Sequence, residues 1–150
     1  MNILTLLDDP LFSKIVPFEK SVYRKQDIVL EEGDEGQDVY FILQGEVQVR
    51  SSFIAGGAKL PAGLARLGEN DFFGELAMFD GDRRSAEVIA LTDCEIVRID
   101  GPSLIRFMDQ NPEKGYFVLR EIFMNLVRHL RQNNIRTKTV LELYLNENAA

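Results

Sequence analysis

From Asp27 to Ile99 the chain is cut by turn residues into short β-type runs with no long helical pattern between them. Asp27-Ile28-Val29-Leu30, Asp38-Val39-Tyr40-Phe41-Ile42-Leu43 and Glu46-Val47-Gln48-Val49-Arg50 are separated by Gly33, Gly36 and Gly45. The third of these alternates polar and apolar, as a strand with one buried face does. Leu64-Ala65-Arg66-Leu67, Glu87-Val88-Ile89-Ala90-Leu91 and Cys94-Glu95-Ile96-Val97-Arg98-Ile99 continue the series, with Gly68-Glu69-Asn70-Asp71 as a turn. Strands this short and this closely spaced suggest an antiparallel barrel or sandwich. The Ser, Gly and Ala-rich segment from Ser51 to Gly63 reads as the tip of a hairpin.

Helical spacing frames this β region. Leu4, Leu6, Leu7, Leu11, Phe12, Ile15 and Val16 predict short helical pieces ending before Pro17. Gly101-Pro102-Ser103 fits a helix start, and Asn111-Pro112-Glu113 a second one, with Asn111 as its cap. Tyr116, Leu119, Phe123, Leu126 or Val127, and Leu130 form an apolar stripe along the second helix. A helix from Pro112 to Arg136 would run about 37 Å. That exceeds what a small barrel needs, so part of it is expected against another chain.

The chain has 150 residues, enough for one domain with a real core, and a formal net charge of −7. The charge argues against nucleic acid as the main partner, so no direct DNA binding is expected. No apolar run reaches the ~18 residues of a membrane span. The acidic N-terminal residues Asp8 and Asp9 do not suit a secretory signal. A lone cysteine, Cys94, reads as a small core residue and suits the cytoplasm. Glu31, Glu32, Asp34, Glu35 and Asp38 read as a solvated acidic turn.

One stretch carries chemistry: Phe72-Phe73-Gly74-Glu75-Leu76-Ala77-Met78-Phe79-Asp80-Gly81-Asp82-Arg83-Arg84-Ser85-Ala86-Glu87-Val88. Gly74 allows close approach of backbone to a ligand. Glu75 to Phe79 can form one helical turn whose first amides lack intrahelical acceptors. Arg84 offers a planar fork suited to a phosphate. A carboxylate repels phosphate, so Glu75 is assigned to hydroxyl donors such as those of a ribose.

This stretch resembles the phosphate-binding cassette of the cyclic-nucleotide-binding domain family, which includes bacterial catabolite activator-type regulators, regulatory subunits of cyclic-AMP-dependent kinase and nucleotide-gated channels. The family pattern runs Phe-Gly-Glu-Leu-Ala, a short gap, then Arg-(Ala/Ser)-Ala-(Thr/Ser)-Val. Phe73-Gly74-Glu75-Leu76-Ala77 and Arg84-Ser85-Ala86 match it, Val88 closes it, and Glu87 departs from it. Likeness extends over about residues 10 to 136 and includes Glu32-Gly33-Asp34 and Val39 to Val47. Gln26 and Asn70 stand where the family often has glycine.

The resemblance implies an α+β fold: an antiparallel β-barrel of the jelly-roll type, about residues 18–100, with short N-terminal helices and C-terminal helices over about 102–136, in a single domain spanning 1–150. It implies that Arg84 binds the cyclic phosphate and Glu75 the ribose 2′-hydroxyl. The amides near Leu76, Ala77, Ser85 and Ala86 would complete the cradle. A C-terminal lid, Arg128 to Asn134, would close over the base. There Asn133 and Asn134 either read a purine edge or simply end the helix. Glu87 either accepts from guanine or pairs with Arg83 or Arg128. The ligand is cyclic AMP or cyclic GMP, with a lean to cyclic AMP because the threonine that favours cyclic GMP in family members is missing.

The expected function is a regulatory sensor whose ligand shifts the C-terminal helix, acting on an unidentified effector protein. The alternative is a ligand-free structural module that dimerises through that helix. An enzyme is not expected. The single histidine, His129, reads as a helix-surface residue, and no metal-ligating or nucleophilic set accompanies it. No cofactor or metal is implied. Thr137 to Ala150 is too short for the helix-turn-helix of family transcription factors, so a stand-alone sensor or a piece of a longer protein is expected.

Overall fold

The run Val39 to Leu43 is apolar throughout because it is covered on both sides. Val39 and Phe41 pack against helices, whereas Tyr40 and Ile42 face the interior between two sheets. The computed structural model describes residues 2–149, with the side chains of residues 53, 55 and 59–62 outside the description. Two short helices, α1 (Ile3–Leu7) and α2 (Pro10–Ile15), precede the strands β1 (Phe18–Tyr23), β2 (Ile28–Leu30), β3 (Val39–Gln44), β4 (Val47–Ala55), β5 (Ala58–Leu67) and β6 (Phe72–Phe73). Helix α3 (Glu75–Asp80) follows, then β7 (Glu87–Ala90), β8 (Cys94–Ile99), α4 (Gly101–Gln110) and α5 (Pro112–Asn148).

The strands form two four-stranded sheets, ordered β1-β8-β3-β6 and β2-β7-β4-β5, and every pairing is antiparallel. This is a jelly-roll sandwich. The hydrogen-bonded ladder does not close into the expected barrel. Between the sheets lie Tyr40, Ile42, Val47, Leu67, Phe73, Val88 and Ile96, together with Cys94, which takes the core position read for it. The helices cover the outer face of the first sheet around Phe12, Phe41, Phe72, Leu104, Phe107, Val118 and Ile122. Each such side chain, fully buried, contributes roughly 1.5–3 kcal/mol.

The segment from Ser51 to Gly63 is the end of a hairpin, as read, with β4 and β5 running through it to a turn at Gly56-Gly57. Two expectations about α5 need correction. Helix α5 does not end near Arg136 but continues to Asn148, 37 residues in all, or about 55 Å. Its inward face is Gly115, Val118, Ile122 and Asn125. The stripe of Tyr116, Leu119, Phe123 and Leu130 points outward and is exposed. Asn111 stands at the N-cap position of α5, but its side chain makes no capping bond there. Its side-chain amide donates instead to the Phe107 carbonyl at 3.1 Å, finishing α4.

Gly115 explains how closely α5 crosses α4. A Cβ there would meet the Met108 carbonyl oxygen at 2.5 Å. Asp9 caps α2 through the Leu11 N–H and forms an ion pair with Lys114, tying the N-terminal helices to the start of α5. Gln26 and Asn70 both adopt the left-handed backbone, with φ of 79° and 69°, at the two places where glycine is common in the resembled pattern.

The acidic run is solvated as read, with Glu31, Glu32, Asp34 and Glu35 exposed, and it is also stapled to its neighbours. Glu32 accepts from the Ser51 and Ser52 hydroxyls and the Ser52 N–H. Glu35 pairs with Arg83 at 3.0 Å, and Asp38 faces Arg98. Main-chain bonds from Gly33 N–H to the Arg84 carbonyl (2.8 Å) and from Arg84 N–H to the Asp34 carbonyl (2.9 Å) fasten this loop to the end of the cassette.

Candidate functional site

The turn between β6 and α3 is built around Gly74. Its φ is 79°, and a Cβ would meet Arg84 Nη1 at 2.8 Å and the Asp38 carbonyl oxygen at 2.9 Å. Both the backbone angle and the space therefore require glycine. The absence of a side chain lets the Arg84 guanidinium lie across the turn. It donates to the Gly74 carbonyl (3.0 Å) and to the Asp38 carbonyl (2.9 Å). Its carbon sits 5.8 Å from the centre of the Tyr40 ring, which stacks on Phe73 at 4.9 Å. Arg84 is only 6% exposed and, among the described residues, carries no carboxylate partner. It is a nearly buried cation held by neutral groups.

Glu75 opens α3 and is 7% exposed, and its Oε2 has no hydrogen-bond partner. Burial pushes the carboxyl up from its ordinary value. Its own main-chain N–H, His129 and Arg84 pull it back only in part. A buried carboxylate oxygen without a donor is costly unless something outside the chain supplies one.

Both residues line one cavity of about 420 Å³. Its walls also include Phe73, Gly74, Leu76, Ala77, Ser85 and Ala86 from the cassette, Leu30, Val49 and Val88 from the sheets, and Leu126, His129, Leu130 and Asn133 from α5. Its size and mixed lining suit a ligand of nucleotide scale. The structure thus brings together nine of the eleven residues singled out from the sequence. The other two stand apart. Glu87 is bonded to Arg50 Nη2 at 3.0 Å, not to Arg83 or Arg128, and is not part of the cavity wall. Asn134 is exposed and also outside the wall. Neither asparagine ends the helix, since α5 continues for more than three further turns.

Three residues escaped the sequence reading. His129 is turned inward, with Nε2 3.6 Å from Asp71 Oδ1. Asp71 also accepts from the Gly68 N–H at 2.9 Å and faces Arg128 at 3.8 Å. Burial works to raise its carboxyl, but His129, Gly68 and Arg128 outweigh burial and hold it below its ordinary value. Asn125 is fully buried and grips the main chain of Phe72. All three contacts join α5 to the turn before the cassette, across more than 50 residues of sequence, and no local pattern announces them. Among the described residues no group of His, Cys, Asp and Glu is arranged to hold a metal, and no helix is long and apolar enough to cross a membrane.

The cyclic nucleotide-binding domain family model matches residues 20–111, well over half of the chain. The cAMP-activated global transcriptional regulator CRP of Haemophilus influenzae is 31% identical over 111 residues, covering 73% of this chain and 48% of that protein. The cAMP-dependent protein kinase regulatory subunit of Dictyostelium discoideum is 33% identical over 111 residues, covering 73% of this chain and 32% of that protein. The chain therefore spans less than half the length of either relative. Among solved structures, a cyclic nucleotide-binding domain from Methylobacillus flagellatus superposes with a TM-score of 0.72 at 26% identity, covering 79% of this chain and 65% of that one. With the cassette geometry and these matches in agreement, the chain belongs to the cyclic-nucleotide-binding domain family.

Proposed function

We propose that this chain is a regulatory module that binds cyclic AMP in the cavity between the cassette and α5 and answers by shifting α5, through which it pairs with a second copy. The observation that carries the reading is Glu75. Its unpartnered Oε2 lies in the same cavity wall as the Arg84 guanidinium, so a hydroxyl donor and an anion are wanted side by side. A cyclic ribose phosphate carries that pair of groups. Arg84 takes the phosphate, with the amides of Leu76, Ala77, Ser85 and Ala86 around it, and Glu75 takes the ribose hydroxyl. Leu126, Leu130 and Asn133 meet the base. An asparagine amide complements the adenine edge, which offers one donor and one acceptor. The carboxylate that could have received guanine, Glu87, is engaged by Arg50 outside the cavity, which favours adenine. Glu87 and Asn134 therefore have no part in this reading. Ligand moves α5 only if it binds the two positions of that helix with different affinity.

Calorimetric titration with cyclic AMP and cyclic GMP tests this. Cyclic AMP is expected to bind at micromolar concentration or tighter, and more tightly than cyclic GMP. Arg84→Ala removes the binding. Because Arg84 also holds two carbonyls, Arg84→Lys serves as the folded control, keeping the charge and losing the fork. Its affinity should fall by about tenfold or more. No binding of either nucleotide to the unsubstituted chain would leave the ligand-free dimerisation module as the better account.

A further inference from the structure

Helix α5 joins the apolar cluster on the outer face of the first sheet through Val118 and Ile122, contacts that carry no hydrogen-bond direction of their own. Asn125 is the exception. It is fully buried at a position where an apolar residue would pack, and both ends of its amide are used on one residue. Its Oδ1 accepts from the Phe72 N–H at 3.3 Å, and its Nδ2 donates to the Phe72 carbonyl at 3.1 Å. The side chain thus presents a donor and an acceptor to β6 as a neighbouring strand would, and β6 is the edge of its sheet. One turn further along α5, Arg128 and His129 face Asp71, the residue before Phe72.

The same two-residue strand reaches the cavity on its other side. Phe72 packs among the helices and Phe73 packs between the sheets and stacks on Tyr40, and both line the cavity. Gly74 and Glu75 follow at once. Only two residues of chain, Phe73 and Gly74, separate the main-chain groups held by α5 from the carboxylate that awaits a donor. Close packing at Gly115 sets where α5 crosses α4, and the two-point amide contact of Asn125 adds a directional hold on β6.

We propose that Asn125 is a positioning residue that couples the cavity to α5. It locks the helix to Phe72, so that displacement of β6 by an occupied cavity is passed to the helix. The coupling rests on the ligand-binding reading above, whereas the locking is a property of the ligand-free chain and is tested separately.

The experiment is hydrogen exchange on the full chain, with and without cyclic AMP, for the unsubstituted protein, Asn125→Leu and Asn125→Gln. Leucine keeps the apolar packing and removes both bonds to Phe72, together with the longer one that Arg128 Nη2 donates to Oδ1 at 3.5 Å. Glutamine keeps the amide but displaces it by one methylene. Without ligand, the Phe72 amide and those of residues 118–130 are expected to exchange about tenfold faster in Asn125→Leu, with β3 and β8 unchanged. Exchange as slow as in the unsubstituted chain overturns the proposal. With cyclic AMP, calorimetry on Asn125→Leu should still show binding, while the ligand-induced change in α5 exchange is lost. Retention of that change at full size also overturns the proposal, because a residue that only adds stability would leave the response intact. Should Asn125→Leu fail to fold, Asn125→Gln carries both arms, with a shifted Phe72 exchange rate and a reduced helix response expected. If the unsubstituted chain binds no cyclic nucleotide, the binding reading falls and the ligand-free arm alone decides the lock.

Discussion

Glu75 sets folding against binding. The ligand-free chain buries a carboxylate with one oxygen unpartnered, and burial raises its pKa above the ordinary 4.5. A carboxyl whose folded-state pKa is raised holds its proton more tightly in the folded state. Its unfavourable contribution is therefore absent below the unfolded value and grows as pH rises through the folded one. Glu75→Gln should stabilise the ligand-free chain at pH 7 by about 1 kcal/mol, raising the melting temperature by roughly 2–4 °C. The gain should vanish below about pH 4, where the native side chain is protonated in both states. The same substitution should weaken cyclic AMP binding by about tenfold or more, since an amide accepts less strongly from a ribose hydroxyl than a carboxylate does. Thermal melts across pH, with parallel titrations, measure both effects. A variant less stable than the parent at pH 7 would mean that the carboxylate is satisfied within the chain.

At the scale of elements, the crossing of α4 and α5 shows how little freedom the helix pair has. Alanine at Gly115 would place its Cβ 2.5 Å from a main-chain oxygen, which cannot rotate away as a side chain could. Overpacking of this kind costs about 1–3 kcal/mol, against a gain of about 1 kcal/mol in helix propensity. Gly115→Ala should therefore destabilise the chain, by roughly 1 kcal/mol, in urea unfolding; no change or a gain would show that the helices can separate freely. The sequence made much of the first layer readable for physical reasons. Phe73 to Ala77 and Arg84 to Ala86 are close in sequence, so their joint geometry is set by one turn. Val39 to Leu43 is apolar throughout, as a strand covered on both sides must be. The second layer was hidden because it depends on distant partners. Helix α5 has apolar residues on two faces, and the stronger stripe in the sequence is the one that the sandwich leaves exposed. Asn125 reads as a break in the buried stripe until Phe72 is placed beside it. Glu87 finds Arg50 across the β4–β7 ladder, a partner 37 residues away.

The molecule as a whole leaves α5 half covered. From Arg131 to Asn148 every helical residue is exposed, and the Arg136 guanidinium donating to the Leu64 carbonyl ties this part to the hairpin. An isolated helix of that length is marginal in water, so its stability calls for a partner. The positions Tyr116, Leu119, Phe123, Leu126, Leu130, Asn133, Thr137, Val140 and Tyr144 recur at alternating steps of three and four, the seven-residue repeat of a two-helix seam. Tyr116, Phe123, Leu130, Val140 and Tyr144 are each more than 60% exposed in the single chain. The seam is self-complementary, which fits a second copy of this chain packed parallel about a twofold axis. Leu126, Leu130 and Asn133 belong both to this repeat and to the cavity wall, so under the proposed reading dimer contact and ligand contact would share three residues. Light scattering after size exclusion should return twice the 17.1 kDa chain mass at micromolar concentration. Phe123→Glu combined with Val140→Glu, neither of them at the cavity, should return the single-chain mass. The far-ultraviolet helical signal should fall at the same time, as residues 137–148 lose their partner and unwind. A single-chain mass for the unsubstituted protein, or an unchanged helical signal in the dispersed variant, would mean that something other than a second copy covers the stripe.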